Sequence, residues 1–309
     1  MQNLFVKNNR FVFFICFIFC TTQYTFAQDD LLASLDDSSN TKSERVVSTF
    51  KTTRIVNAHS VETVKAHHLD FRVTHHFGNI GGNTGGVHTM YGLDNAADIR
   101  IAFEYGVSER LTIGAGRSKI AELVDGYLKY RLLYQTQDNK VPISLTLLAN
   151  AAFTSAKANG GPNENFANRL SYVYEVLFAR RINSRLSIQL MPAFLHRNYV
   201  YDAKDENDLF VLGGGFRLKL TKRFALLADY YQIFSKFRQD NSQVYFPPLG
   251  LGVEIETGGH VFHLIFTNNP AIVENSYLAN STDSWGKEQI KFGFNISRTF
   301  GIGKKSRMK

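Results

Sequence analysis

Cysteine is almost absent from this 309-residue chain, which has only Cys16 and Cys20. Both fall within the first 27 residues, which read as a leader that export removes. The chain that remains would have no disulfide framework, no thiolate metal site and no cysteine nucleophile. Functions that depend on a thiolate are therefore excluded.

Long apolar runs are also lacking. Residues 11–20 are apolar without interruption, but a run of that length is too short to cross a bilayer as a helix. No later stretch is continuously apolar over the roughly 20 residues that a helical span needs. A helical membrane protein is excluded on this ground. A strand barrel is not, because only every second residue of its strands must face lipid.

The first residues have the features of a secretory signal peptide. Lys7 and Arg10 give a positive start, the apolar run follows, and Ala27 places a small residue before Gln28. This order is typical of a signal peptide and its cleavage site; an uncleaved membrane anchor is the alternative. We therefore expect a signal peptide over residues 1–27 and export from the cytoplasm.

What the chain does contain is about a dozen short segments in which apolar and polar residues alternate. Ile99, Ile101 and Phe103 are interleaved with Arg100 and Glu104, for example. Such period-2 patterns indicate strands. The connections are alternately long and short, as in barrels with tight turns at one rim and long loops at the other. We predict an all-β fold: a single antiparallel up-and-down transmembrane β-barrel of about 12 strands.

The polar faces of these strands carry ionic residues of both signs. A lysine or arginine facing lipid near the bilayer midplane would cost about 2–4 kcal/mol. Inside a closed barrel the acidic side chains can pair with the basic ones. The lumen-lining candidates are Arg72, Arg100, Glu104, Lys129, Arg131, Glu175, Arg217, Lys219, Asp229, Glu254, Glu256 and Lys291.

The chain divides into four parts on this interpretation. Residues 1–27 are the signal peptide, and 28–65 are a periplasmic N-terminal arm that is partly disordered. Residues 66–300 are the β-barrel, and 301–309 are a basic C-terminal tail. Within the arm, polar residues among apolar ones over 46–64 suggest a segment that folds into the barrel as a plug. This group comprises Arg54, Asn57, His59 and Glu62.

Several short segments of the sequence resemble those of a known protein family. They are TFKTTR (49–54), NAHSVE (57–62), LDFR (69–72), YGLDNA (91–96), LMP (190–192), EIETGGH (254–260) and WGK (285–287). In these segments, and from about residue 49 to 300, the chain resembles an uncharacterised β-barrel family of Gram-negative outer membranes, a domain of unknown function. The resemblance implies the fold and the outer-membrane location. It implies no activity and no catalytic residues.

Candidate chemistry is sparse. Six of the nine histidines lie between residues 59 and 88, but neighbours such as His75 and His76 point to opposite faces of a strand and cannot share an ion. No G-x-S-x-G elbow occurs, and spacing places no serine beside His196 and Asn198. We therefore expect no catalytic residues, no metal and no cofactor.

These observations favour a non-enzymatic outer-membrane barrel, either a narrow channel or a structural or binding component. The alternatives are a lipid-acting outer-membrane barrel enzyme and a soluble exported β-barrel binding protein. The expected partners are outer-membrane lipid and, during biogenesis, the barrel-assembly machinery. Nucleic acid is not expected, since much of the basic excess lies in the tail of an exported, strand-rich chain. The sequence identifies no solute.

Overall fold

The alternating segments form twelve strands that close into one barrel. The computed structural model describes residues 44–158, 160–257 and 260–302. Each strand pairs antiparallel with its neighbour in sequence, and the first pairs with the last. The strands are β1 His68–Asn79, β2 Ala96–Gly106, β3 Leu111–Ser118, β4 Leu123–Leu133, β5 Ser144–Thr154, β6 Leu170–Arg181, β7 Leu186–Arg197, β8 Asp208–Lys219, β9 Phe224–Phe234, β10 Leu249–Thr257, β11 His260–Thr267 and β12 Lys291–Gly301. The predicted fold class is confirmed.

Apolar side chains lie on the outer face of the barrel wall and ionic ones on the inner face, the reverse of their placement in a soluble protein. On β2, the aliphatic Ile101 is 48 % exposed, whereas the neighbouring Arg100 is 2 % exposed and Glu104 is 1 % exposed. Closure leaves no free sheet edge, so every strand can satisfy its backbone groups within the ring. An apolar exterior around an ionic interior suits a surrounding of lipid rather than water.

The interior is not ionic throughout, which departs from the sequence-based expectation. Along β6 to β9 the buried side chains are largely apolar. They form one cluster with apolar residues of the segment before β1 and of the β11–β12 connection. Among them are Leu177, Met191, Leu209 and Tyr231. Both faces of these strands are therefore apolar in places, one against lipid and the other against a packed interior.

Two short α-helices lie in the connections. Helix α1 covers Lys236–Asp240 between β9 and β10, and helix α2 covers Glu274–Asn280 between β11 and β12. Five of the seven residues of α2 are buried. Single 3-10 turns lie at Gly82–Thr84, Val87–Thr89, Ile120–Glu122, Pro162–Glu164, Phe166–Arg169 and Trp285–Lys287. Within the described ranges, no helix is long and apolar enough to cross a membrane.

Residues 44–66, called the arm below, precede β1 and fold back against the inner side of the strands. The arm contains a tight hairpin over residues 53–60. In it, Ile55 N donates to Ala58 O at 2.8 Å, and Ser60 N donates to Thr53 O at 2.9 Å. Ile55, Ala58 and Ser60 are all completely buried.

Some sequence-based predictions lie outside the described residues. These are the signal peptide over 1–27, the part of the N-terminal arm before residue 44, and the tail from residue 303 onward.

Candidate functional site

The tip of the arm hairpin is held by one carboxylate of the barrel wall. Oδ2 of Asp229, on β9, accepts hydrogen bonds from the backbone N–H groups of Val56, Asn57 and Ala58 at 2.9, 2.7 and 2.8 Å. Oδ1 accepts a further bond from Asn57 Nδ2 at 3.0 Å. Asp229 is 2 % exposed. A single side chain therefore satisfies three consecutive backbone donors that would otherwise be buried without partners.

Other strands hold the rest of the arm. Val61 N donates to Gln189 Oε1 on β7 at 2.7 Å, and Val61 O accepts from Thr146 Oγ1 on β5 at 2.7 Å. Val64 N donates to Thr112 Oγ1 on β3 at 2.9 Å. The arm is thus bonded to strands on several sides of the ring, and it lies across the interior rather than along one wall.

Glycines in the wall make room for the hairpin. A Cβ added at Gly250 would lie 2.4 Å from Asn57 Nδ2 and 2.7 Å from Val56 Cγ1. A Cβ at Gly215 would lie 2.9 Å from Ile55 Cδ1. All three distances are shorter than van der Waals contact, so these positions face the arm at its closest approach.

Gly250→Ala is expected to destabilise the barrel by about 1–3 kcal/mol, the usual cost of overpacking. The measurement is the temperature at which the heat-modifiable gel band of the folded barrel is lost. Gly214→Ala is the matched control, because its nearest contact would be Gln189 O at 4.0 Å. Equal melting of the two variants would contradict the close packing of arm and wall.

An ion pair joins the arm to the opposite rim. Arg54 of the hairpin pairs with Glu274 of α2, and the two side chains are 5 % and 0 % exposed. The arm enters from the rim where β1 begins and β12 ends, whereas α2 follows β11 at the other rim. Two segments that enter from opposite rims therefore meet inside the barrel.

The twelve residues predicted to line the interior are all buried or partly buried. Nine are buried, and Arg217, Lys219 and Glu256 are partly exposed near the rim of the termini. The buried nine are Arg72, Arg100, Glu104, Lys129, Arg131, Glu175, Asp229, Glu254 and Lys291.

Their pairing differs in part from the expectation that the acids among them pair with the bases. Arg217 does pair with Glu254, at 2.6 Å. Asp229 instead binds backbone amides, and Glu175 accepts only a 3.4 Å hydrogen bond from Tyr231 Oη among the described residues. For Asp229 the reason is that the arm brings its own polar groups into the interior, where they compete with cross-barrel pairing.

Several partners were missed by the sequence reasoning. Arg100 makes two hydrogen bonds to Asp125, at 3.0 and 2.5 Å, and Lys291 pairs with Asp283. Asp125 lies four residues before Lys129 on β4, so strict alternation would have placed it inside. Glu274 and Asp283 lie in the connection between β11 and β12 and gave no such signal.

The connections at the rim opposite the termini are fastened to α2. Asp205 pairs with Arg197 at 2.9 Å and with Arg238 at 2.7 Å. Arg238 Nη2 also donates to Ala279 O in α2 at 2.6 Å. Burial raises the pKa of Asp205, but the hydrogen bond from Arg238 and the charge of Arg197 outweigh it and lower the pKa below its usual value. Asp205 therefore stays ionised, and keeps its ion pairs, until the pH falls to that lowered pKa.

His196 and Asn198, which bear on the enzyme alternative, lie near the rim opposite the termini. His196 Nδ1 lies 2.5 Å from Asp208 Oδ1, but within the described ranges no serine hydroxyl bonds to His196. In the same part of the chain, no three His, Cys, Asp or Glu side chains are close enough to hold a metal ion.

The solved structures that match this chain include a porin and two outer-membrane proteins. The KdgM porin matches with a TM-score of 0.45 and 8 % identity, covering 75 % of this chain and 99 % of that one. An outer membrane channel from Pseudomonas putida F1 matches with a TM-score of 0.47 and 10 % identity, covering 78 % and 98 %. The Acinetobacter baumannii outer membrane protein Omp33 matches with a TM-score of 0.38 and 12 % identity, covering 76 % and 98 %.

Among curated proteins none matches the chain. A protein family does match, over residues 50–300, and it is described as a membrane-bound beta barrel domain, DUF5777. The match covers most of the sequence and includes both the arm hairpin and the twelve strands. It confirms the resemblance to an uncharacterised barrel family. The chain belongs to this family of membrane-bound β-barrel domains.

Proposed function

We propose that the protein is a non-enzymatic barrel of the bacterial outer membrane, a narrow channel that its own arm and the α2 connection hold closed. The observation that carries the proposal is the capture of three hairpin amides by Asp229 inside the ring. A solute could pass only after the hairpin leaves this carboxylate.

The location is supported by the architecture. Closed antiparallel barrels with an apolar outer band are the spanning form used in outer membranes. The expected leader would deliver such a chain across the inner membrane. In these barrels the rim that carries both termini faces the periplasm. The arm would then enter from the periplasm, and α2 would be reached from outside the cell.

Closure is supported by what the interior holds. Arg54 and Glu274 are both at most 5 % exposed, and they meet between the two segments. Tyr231 and Tyr277 are also almost fully buried, with ring centroids 5.8 Å apart. Separating a buried ion pair leaves each charge in need of water or a new partner. Opening therefore requires a concerted movement of the arm and the α2 connection, not a small side-chain rotation.

The test is conductance in planar bilayers. The intact chain is expected to insert without steady conductance. A chain that lacks residues 46–64 is expected to conduct, because the deletion removes the hairpin from the interior. Heat-modifiable gel mobility serves as the control that the shortened chain still forms a barrel.

Each other outcome would count against the proposal in a different way. Steady conductance by the intact chain would show that the interior is not closed. A folded but silent deletion variant would show that the interior is no pathway, which favours the structural or binding role. Lipid hydrolysis that one serine substitution abolishes would establish the enzyme alternative instead.

A further inference from the structure

We propose that a cationic pocket at the rim of the termini binds a phosphate group. This site, called the rim pocket below, has a volume of about 170 Å³. The arm forms one wall, and the ends of β6, β8 and β10 form the others. Its charged lining residues are Lys51, Arg181, Arg185, Arg217, Lys219 and Glu256.

The pocket has more positive charge than its own acids neutralise. Lys51 pairs with Glu256 at 2.9 Å, and Arg217 pairs with Glu254 at 2.6 Å. The other three cations, Arg181, Arg185 and Lys219, form no ion pair with any carboxylate of the described residues. Like charges that face one another without a counter-ion are destabilising. Three such cations in one pocket therefore point to an anionic ligand.

The backbone fixes two of these cations beside each other. Lys219 N donates to Arg185 O at 2.7 Å, so the end of β8 and the turn before β7 are held together. Arg181, at the end of β6, donates from Nε to Asn183 O at 3.2 Å in the same turn. The cationic groups thus approach one another through strand pairing and not through flexible side chains alone.

The chemistry of the lining favours phosphate over a single carboxylate. Guanidinium groups bind phosphate through paired N–H donors, and lysine adds a point charge. A phosphate dianion would neutralise two of the three unpaired cations, whereas a carboxylate would neutralise only one. The hydroxyls of Ser48 and Ser184, which also line the pocket, can donate to the remaining oxygens. The phosphate could belong to a soluble molecule or to a lipid headgroup.

Calorimetric titration of the full chain in a maltoside detergent tests this site. The probes are pyrophosphate, for a soluble source, and dihexanoyl phosphatidic acid, for a lipid source. We expect saturable binding of at least one probe, weakened by added salt as charges are screened. The double variant Arg185→Ala with Lys219→Ala should weaken it by about tenfold or more, since two charge-assisted contacts are lost.

Lys222→Ala is the matched control, because Lys222 is a basic residue of the β8–β9 turn that does not line the pocket. It should bind both probes as the unmodified chain does. Arg181→Gln gives a second, conservative variant if the double variant fails to show heat-modifiable folding. Pyrophosphate binding assigns a soluble ligand, and binding of the phosphatidic acid alone assigns a lipid headgroup.

Two results would overturn the proposal. One is the absence of saturable binding for both probes, and the other is equal binding by the pocket variants and Lys222→Ala. The site does not depend on conduction. If the variant that lacks residues 46–64 folds but stays silent, the channel proposal is wrong, and phosphate binding by the intact chain would still support this one.

Discussion

Replacing Asp229 with alanine is expected to free the arm hairpin and convert a closed barrel into a conducting one. The carboxylate accepts from the N–H groups of Val56, Asn57 and Ala58. Without it, three buried donors lose their partner, and each costs about 1–3 kcal/mol when left unsatisfied. The total is on the order of 3–9 kcal/mol, which is large for a hairpin held by a few other side chains. Single-channel recording measures the opening.

Hairpin release can also be read by chemical labelling. A Ser60→Cys reporter, in a chain without Cys16 and Cys20, is completely buried at rest and should react with a water-soluble maleimide only after release. Asp229→Asn keeps one acceptor oxygen and should react at an intermediate rate. Tyr230→Phe alters the next residue of β9, which is exposed, and should leave the reporter protected. An unreactive reporter in Asp229→Ala would show that other contacts suffice to hold the arm.

Replacing only one member of the Arg54–Glu274 pair is expected to lower the free energy of unfolding strongly. Arg54→Met or Glu274→Leu alone leaves an uncompensated buried charge, which typically costs 3–5 kcal/mol. The double variant removes both charges and should recover much of that loss, because apolar side chains of similar volume replace a buried pair at little cost. The free energy of unfolding in urea, measured for all four chains, gives the coupling energy.

The exposed pair Arg117–Glu122 provides the control. Its side chains are 55 % and 54 % exposed at a distance of 3.2 Å, and exposed pairs contribute between 0 and about 1 kcal/mol. Arg117→Met should therefore change stability little. If Arg54→Met were equally mild, the arm and the α2 connection would not be coupled through this pair, and the concerted opening would lose its basis.

The positions of the strands and their two faces could be predicted because one face of each strand contacts lipid and the other contacts the interior, which produces the period-2 pattern. On β2, Arg100 and Glu104 alternate with Ile101 and Phe103, and the sheet sends the two sets to opposite sides. The pattern weakens where the interior is itself apolar. Leu148 and Ala152 of β5 are buried, but their neighbours on the same strand are apolar too, so the pattern over residues 141–154 does not distinguish the two faces.

The interior contacts were harder to predict because they join residues far apart in sequence. Arg54, Asn57, His59 and Glu62 indicated a polar segment suited to the interior, but nothing linked Asn57 to Asp229, 172 residues away. Helix α2 is too short to be stable by propensity alone. It forms because Tyr277 and Leu278 pack into the interior cluster, and local sequence does not encode that packing.

The closed ring with a filled centre has a consequence for biogenesis. Residues 44–66 directly precede β1, and β1 seals the cylinder against β12. Ile55 and Val61 are completely enclosed, so a seam that closed early would shut them out and leave a hollow of unsatisfied donors. Closure of the barrel and packing of its interior must therefore be one cooperative event, in which the segment before β1 is in place when β1 pairs with β12.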